Sequence, residues 1–140
     1  MKQFTLHRAE RVKSRKVIEQ LFAAGRSFSI AGLRVYYLLT PMPATLPGDT
    51  VPQLRFPLQA GVGVSKRHFK KAVHRNRIKR LLREAYRLQK ALLQHALANN
   101  PAELRVFFIF TGKELPPFDL VQQQIAAALK RLHKEVLKTQ

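Results

Sequence analysis

The most strongly charged stretch of this chain is residues 66–90, which read KRHFKKAVHRNRIKRLLREAYRLQK. It contains eleven Lys or Arg residues and a single acid, Glu84. Like charges along one helix face repel each other, so an excess of this size indicates a polyanionic partner that offsets the repulsion. The same stretch carries apolar residues at helical spacing, which predicts a folded helix rather than a loose basic tail.

This spacing predicts one long helix over about residues 75–98, with a buried side and a polar side. The buried side is predicted to hold Ile78, Leu81, Leu82, Ala85, Leu88 and Leu92. The polar side is predicted to hold Asn76, Lys79, Arg80, Arg83, Arg87 and Lys90. Arginine forks, backbone amides and the positive end of the helix dipole meet at Arg75-Asn76-Arg77, and this combination favours phosphate. Both RNA and the major groove of duplex DNA stay open as partners.

Composition narrows the class of protein. The chain has 140 residues, which predicts one domain over 1–140, and 46% hydrophobic residues, which is typical of a globular fold. A formal charge of +18 favours a phosphate backbone as the partner. An anionic membrane surface is the competing partner, but it calls for an apolar helix face without a core to cover it. Here strands and packed helices account for the apolar positions.

Cysteine is absent, which excludes disulfides and thiolate metal sites. The longest wholly apolar runs are five residues, far below the length of a membrane span. Residues 1–6 lack the apolar run of a signal peptide. We therefore expect a cytoplasmic protein with no membrane partner.

Periodicity and turn residues place the other elements. In chain order we predict a basic arm over 1–13, a helix from the cap Ser14 to Gly25, strands over 26–30 and 33–39, a Pro-rich connection over 40–57, a strand over 58–65, a strand over 104–111 and a last helix capped by Asp119. The order is therefore helix, strands, helix, strand, helix.

No catalytic constellation is evident in the sequence. Asp49 and Asp119 are the only aspartates, the glutamates are scattered, and the histidines show no ligand spacing. We predict no catalytic residue and no metal site on the protein. Phe22 and Tyr36 are candidates for stacking on unpaired bases. Spacing alone favours core packing for Phe22, whereas Tyr36 lies on the strand side opposite Val35.

Two segments carry a family resemblance. GVGVSKR at residues 61–67 and AVHRNRIKRLLREAYR at residues 72–87 resemble the signature of the bacterial ribonuclease P protein subunit. The resemblance extends upstream to Leu21, Phe22 and Gly25 and downstream through the strand over 104–111 and the last helix, so it covers most of the chain. It implies an α+β, single-domain, two-layer sandwich ordered helix–three strands–helix–strand–helix, with a left-handed crossover. It also implies a ribonucleoprotein that removes the 5′ leader of precursor tRNA.

The resemblance further implies that a catalytic RNA performs the hydrolysis, with Mg²⁺ held mainly by that RNA and by the substrate. The residues implied to face the RNA subunit are Lys66, Arg67, Arg75, Asn76, Arg77, Lys79, Arg80 and Arg83. The residues implied to line a cleft for the single-stranded leader are Ile18, Phe22 and Tyr36. Ile18 departs from the family, which usually has an aromatic residue there. The predicted partners are the catalytic RNA and precursor tRNA, without a protein partner. The alternative is a ribosomal or RNA-chaperone-type structural RNA-binding protein.

Overall fold

A computed structural model describes residues 15–30, 32–41, 58–99 and 102–138 of the chain. Its elements are α1 (Arg15–Ala24), β1 (Arg26–Ile30), β2 (Leu33–Pro41), β3 (Leu58–Val64), α2 (Ala72–Gln89), α3 (Ala91–Asn99), β4 (Ala102–Phe110) and α4 (Phe118–Lys138). The expected α+β class is confirmed, and every predicted strand is present. Within the described ranges, no helix has the length and apolar character needed to cross a membrane.

The four strands form one sheet in the order β1-β2-β4-β3. β1 pairs with β2 and β2 with β4 in antiparallel fashion, whereas β3 and β4 are parallel. A parallel pair requires a crossover connection, and α2 and α3 supply it. The register places Tyr36 opposite Phe107 and Phe107 beside Gly61.

The core lies between one face of the sheet and the helices that follow β3. Val35 and Phe108 on this face are fully buried, as are Ile78 of α2 and Ile125 of α4. The Tyr86 ring of α2 packs against Phe108 with the ring centroids 5.8 Å apart. Successive residues of a strand point to opposite faces, so Arg34, Tyr36, Phe107 and their neighbours of the same parity form the second face.

The end of α1 lies against β2, and this close approach depends on Gly25. A Cβ atom at Gly25 would lie 2.4 Å from the Leu21 carbonyl oxygen and 2.8 Å from that of Tyr37. The Gly25 amide donates a hydrogen bond of 2.9 Å to the Leu21 oxygen. Leu21 is fully buried here, and Phe22, the next residue, reaches the second face of the sheet.

The long predicted helix differs from the observed structure in four respects. The observed helix begins at Ala72 rather than near Arg75, and it breaks at Lys90 into α2 and α3. The predicted polar position of Lys90 is wrong, because this residue is 1% exposed. Leu88 and Leu92 were predicted to be buried but are exposed. In this part of the chain Tyr86, Lys90 and Leu93 are buried instead.

The last helix begins before its predicted cap, Asp119. Asp119 does not precede α4 as a cap: it lies in the first turn, where its charge still suits the helix dipole. The basic arm 1–13, the cap Ser14 and most of the connection 40–57 lie outside the described residues. The single domain over 1–140 stays a prediction.

Candidate nucleic-acid interface

The loop between β3 and α2 is held in a defined shape. The Ser65 hydroxyl accepts a hydrogen bond of 3.2 Å from the Arg67 amide, and the Ser65 carbonyl accepts one of 3.3 Å from the Phe69 amide. Phe69 is buried and packs on the Phe110 ring at 6.1 Å between centroids. The loop is therefore anchored at Phe69, while Lys66 and Arg67 are exposed at its tip.

Arg75 joins this loop to α2. Its Nη1 atom donates to the Phe69 carbonyl at 2.9 Å and to the Lys70 carbonyl at 2.8 Å. The side chain is half-buried. Arg75 was predicted to face RNA, and that role stays a prediction. The hydrogen bonds add a second role, because they hold the loop against the first turn of the helix.

The N-terminus of α2 favours negative charge. Lys71 occupies the cap position in extended conformation, and its side chain makes no capping hydrogen bond. The first turn contains no acidic residue. The positive end of the helix dipole therefore lies beside the loop cations rather than beside a carboxylate.

A row of polar and cationic side chains continues along the exposed side of α2. Asn76, Arg77, Arg80 and Arg83 are exposed, and Lys79 is half-buried. Together with the loop cations they form what we call the basic surface, which consists of Lys66, Arg67, Asn76, Arg77, Lys79, Arg80 and Arg83.

Glu84 limits the basic surface at its far end. Its carboxylate accepts hydrogen bonds from Arg87, at 2.5 Å from Nη2 and 3.2 Å from Nε. These hydrogen bonds lower the pKa of Glu84 below its ordinary value. Arg87, which was predicted to lie on the polar side of the helix, is partly exposed there and pairs with the one acid of the segment.

A second feature lies between α1 and the second face of the sheet. The Phe22 ring packs 4.7 Å from that of Tyr36 and 5.7 Å from that of Phe107, measured between centroids. Phe22 is 46% exposed, so the interpretation of this residue as core packing is wrong. Ile18 is half-buried one helical turn earlier, on the same side of α1. We call these four residues the aromatic cleft.

Arginines lie near the aromatic cleft on the same face of the sheet. The Arg34 guanidinium lies 5.5 Å from the centroid of the Tyr36 ring. Arg105 donates from Nε to the Gln59 side-chain oxygen at 3.2 Å. Neither arginine, nor Phe107, was singled out from the sequence. Residues 104–111 are apolar on both strand faces near Phe107. The sequence there lacks the alternation of polar and apolar residues that would indicate which face Phe107 lies on.

The basic surface and the aromatic cleft are linked through β3. A Cβ atom at Gly63 would lie 2.9 Å from the Phe107 ring, and Ser65, which shapes the basic loop, follows two residues later. The structure therefore places the predicted site residues in two adjoining groups. The first is the loop with α2, and the second is the cleft beneath α1.

Comparison with known proteins identifies the family. A model of the family described as Ribonuclease P matches residues 6–133. The chain belongs to the ribonuclease P protein family. Relatives named ribonuclease P protein component include one from Porphyromonas gingivalis, 34% identical over 129 residues that cover 92% of this chain and 87% of the relative. One from Chlorobaculum tepidum is 32% identical over 91% of this chain and 82% of its own length.

Solved structures of ribonuclease P proteins share the fold. The protein from Thermotoga maritima superposes with a TM-score of 0.59 at 24% identity, covering 87% of this chain and 96% of that one. The protein from Staphylococcus aureus gives 0.61 at 19% identity, covering 88% and 94%. As a ribonuclease P protein, the chain is the protein component of an endoribonuclease of tRNA processing. The roles of its individual residues remain predictions.

Proposed function

We propose that this chain is the RNA-binding subunit of a ribonuclease P that removes the 5′ leader of precursor tRNA. In this proposal a catalytic RNA with Mg²⁺ performs the hydrolysis, and the protein binds both that RNA and the leader. A ribonucleoprotein that acts on precursor tRNA must share its compartment, so we place the protein in the cytoplasm.

The observation that carries the proposal is the basic surface, which is formed by α2 and by a loop that Arg75 holds against it. Its cations extend from Lys66 in the loop to Arg83 on α2, and the acid nearest its end is already paired with Arg87. Such a surface binds phosphates through counterion release. Arginine forks such as that of Arg77 contact phosphate oxygens bidentately, and Asn76 offers both a donor and an acceptor to a 2′-hydroxyl or base edge.

The aromatic cleft supports binding of an unpaired leader. Phe22 and Tyr36 present ring surface next to a cation, Arg34, and bases without a pairing partner stack on such rings. Ile18 adds apolar wall but no stacking plane. Because the cleft adjoins the basic surface through β3, the leader and the catalytic RNA could be bound by one molecule at the same time.

Magnesium belongs to the RNA side of the proposed complex. In the described part of the chain, no three His, Asp or Glu side chains lie close enough together to hold a metal ion. The basic surface itself repels cations, so it is unsuited as a Mg²⁺ site. Its residues instead reduce repulsion between the phosphates of the RNA and those of the substrate. In this way the protein favours binding of Mg²⁺ to sites on the RNA and the substrate.

The test is cleavage of precursor tRNA by a bacterial catalytic RNA at a Mg²⁺ concentration where the RNA alone is slow. We expect the full chain to accelerate this cleavage. Failure to stimulate would favour a structural RNA-binding protein of the ribosomal or chaperone type. Cleavage by the protein alone would favour an autonomous nuclease.

Salt dependence tests the electrostatic part of the proposal. If the basic surface neutralises about six to ten phosphates, affinity for the catalytic RNA should fall by about 10³–10⁵ between 50 and 200 mM salt. The measurement is a filter-binding or anisotropy titration at constant Mg²⁺. A response that is flat over this range would contradict the proposed electrostatic binding.

A further inference from the structure

Phe107 is the member of the aromatic cleft that comes from the sheet rather than from α1 or β2. Its ring meets Phe22 edge to face, with an interplanar angle of 89° and 5.7 Å between centroids. Tyr36, its partner in register, also contacts Phe22, with 4.7 Å between the ring centroids. Three rings therefore converge, and the central one is 46% exposed. A cluster that served only to close α1 onto the sheet would bury this ring.

Gly63 makes room for the Phe107 ring. A Cβ atom at position 63 would lie 2.9 Å from Cε1 and 3.3 Å from Cζ of Phe107. Real side chains do not approach so closely, and any residue other than glycine would push the ring away. The ring thus lies across β3 in space that the strand leaves free, and this explains a glycine within a strand.

Two arginines flank the rings along the sheet. Arg34 lies opposite Ile109, and Arg105 lies opposite Leu38. These two rows are four residues apart on β2, about 13 Å at the usual strand rise. The Tyr36–Phe107 pair lies midway between them. This arrangement fits a single-stranded RNA whose bases stack on the central rings and whose phosphates contact the arginines at either end. Sheets that carry such aromatic residues stack two or three bases.

We propose that Phe107 is a base-stacking residue for the leader, and that its ring is supplied by the sheet. Gly63 is then the positioning residue that holds the Phe107 ring in place. Arg34 and Arg105 contact the phosphates on either side of the stacked bases. This inference rests on the proposed function. It adds that Phe107 stacks on a small number of leader bases and that Gly63 positions its ring.

The experiment measures affinity of the reconstituted holoenzyme for precursor tRNAs whose leader nucleotides are made abasic one at a time, with mature tRNA as reference. Stacking of one base is worth about fivefold to 150-fold in affinity. We expect wild-type protein to show a loss of this size at one or two leader positions. Phe107→Leu should bind the intact leader more weakly by a similar factor and should be insensitive to base removal at those positions.

Matched variants separate stacking from folding. Phe107→Tyr retains the ring and should behave as wild type. Gly63→Ala should weaken leader binding in the wild-type background and have no further effect on leader binding in the Phe107→Leu background. Affinity for mature tRNA and for the catalytic RNA should be unchanged in every variant.

Two results would overturn the inference, and they have different meanings. If wild-type holoenzyme shows leader dependence and Phe107→Leu shows the same abasic pattern, Phe107 does not stack on the leader, and the proposed function stands. If wild-type holoenzyme does not distinguish precursor from mature tRNA, leader binding by the protein fails, and the inference fails with it.

Discussion

Alanine at Arg75 and alanine at Arg77 are expected to have different effects, although the two residues flank the same asparagine. Arg75→Ala removes two hydrogen bonds to the Phe69 and Lys70 carbonyls and should lower the free energy of unfolding by about 1–2 kcal/mol. Arg77 is exposed, and Arg77→Ala should change that free energy by less than about 0.5 kcal/mol. Stability is measured by denaturant unfolding of the free protein.

Binding to the catalytic RNA should separate the same two variants. Arg77→Ala removes a charge from the basic surface, so affinity should fall and the slope of log affinity against log salt should decrease by about one. Arg75→Ala should also weaken binding, because loss of the Arg75 hydrogen bonds loosens the loop that carries Lys66 and Arg67. Arg77→Lys keeps the charge and is the matched control for the salt slope. Equal stability of the Arg75→Ala variant and wild type would contradict the loop-holding role of Arg75.

Tyr36→Ala is expected to act on the substrate leader rather than on the catalytic RNA. Tyr36 contributes ring surface beside Phe22 and lies under the Arg34 guanidinium. Its removal should reduce the preference for precursor over mature tRNA by about fivefold to 150-fold, the range for loss of one stacked base. The measurement is the ratio of holoenzyme affinities for the two RNAs.

Arg77→Ala provides the reciprocal control for Tyr36→Ala. It should weaken assembly with the catalytic RNA and leave the ratio of precursor to mature affinities nearly unchanged once the holoenzyme is saturated. Tyr36→Ala should do the reverse. An identical phenotype for the two variants would contradict the division of the protein into a basic surface and an aromatic cleft.

Much of this arrangement could be predicted from the sequence because charge and periodicity are local properties. The strands, the α2 stripe through Ile78 and Leu82, and the exposure of Arg80 and Arg83 all agree with the structure. Each depends on residue type at a regular spacing, and each is stabilised by burial of one face.

The remaining features depend on contacts between distant parts of the chain. Lys90 is buried although its residue type predicts exposure, and the helix breaks there without a glycine or proline. Arg75 bonds to carbonyls of a loop whose path the sequence does not specify. Phe107 lies in an apolar run in which either parity could face the core, and only the pairing with β2 and β3 decides its orientation.

The central claim is that this protein supplies positive charge and leader contacts to a catalytic RNA and performs no hydrolysis itself. The most direct measurement is the rate of precursor tRNA cleavage by a bacterial catalytic RNA over a Mg²⁺ titration, with and without the full chain, and with the chain alone. We predict that the protein lowers the Mg²⁺ concentration for half-maximal cleavage and that the chain alone does not cleave. Superimposable titrations with and without bound protein, or cleavage by the chain alone, would contradict the claim.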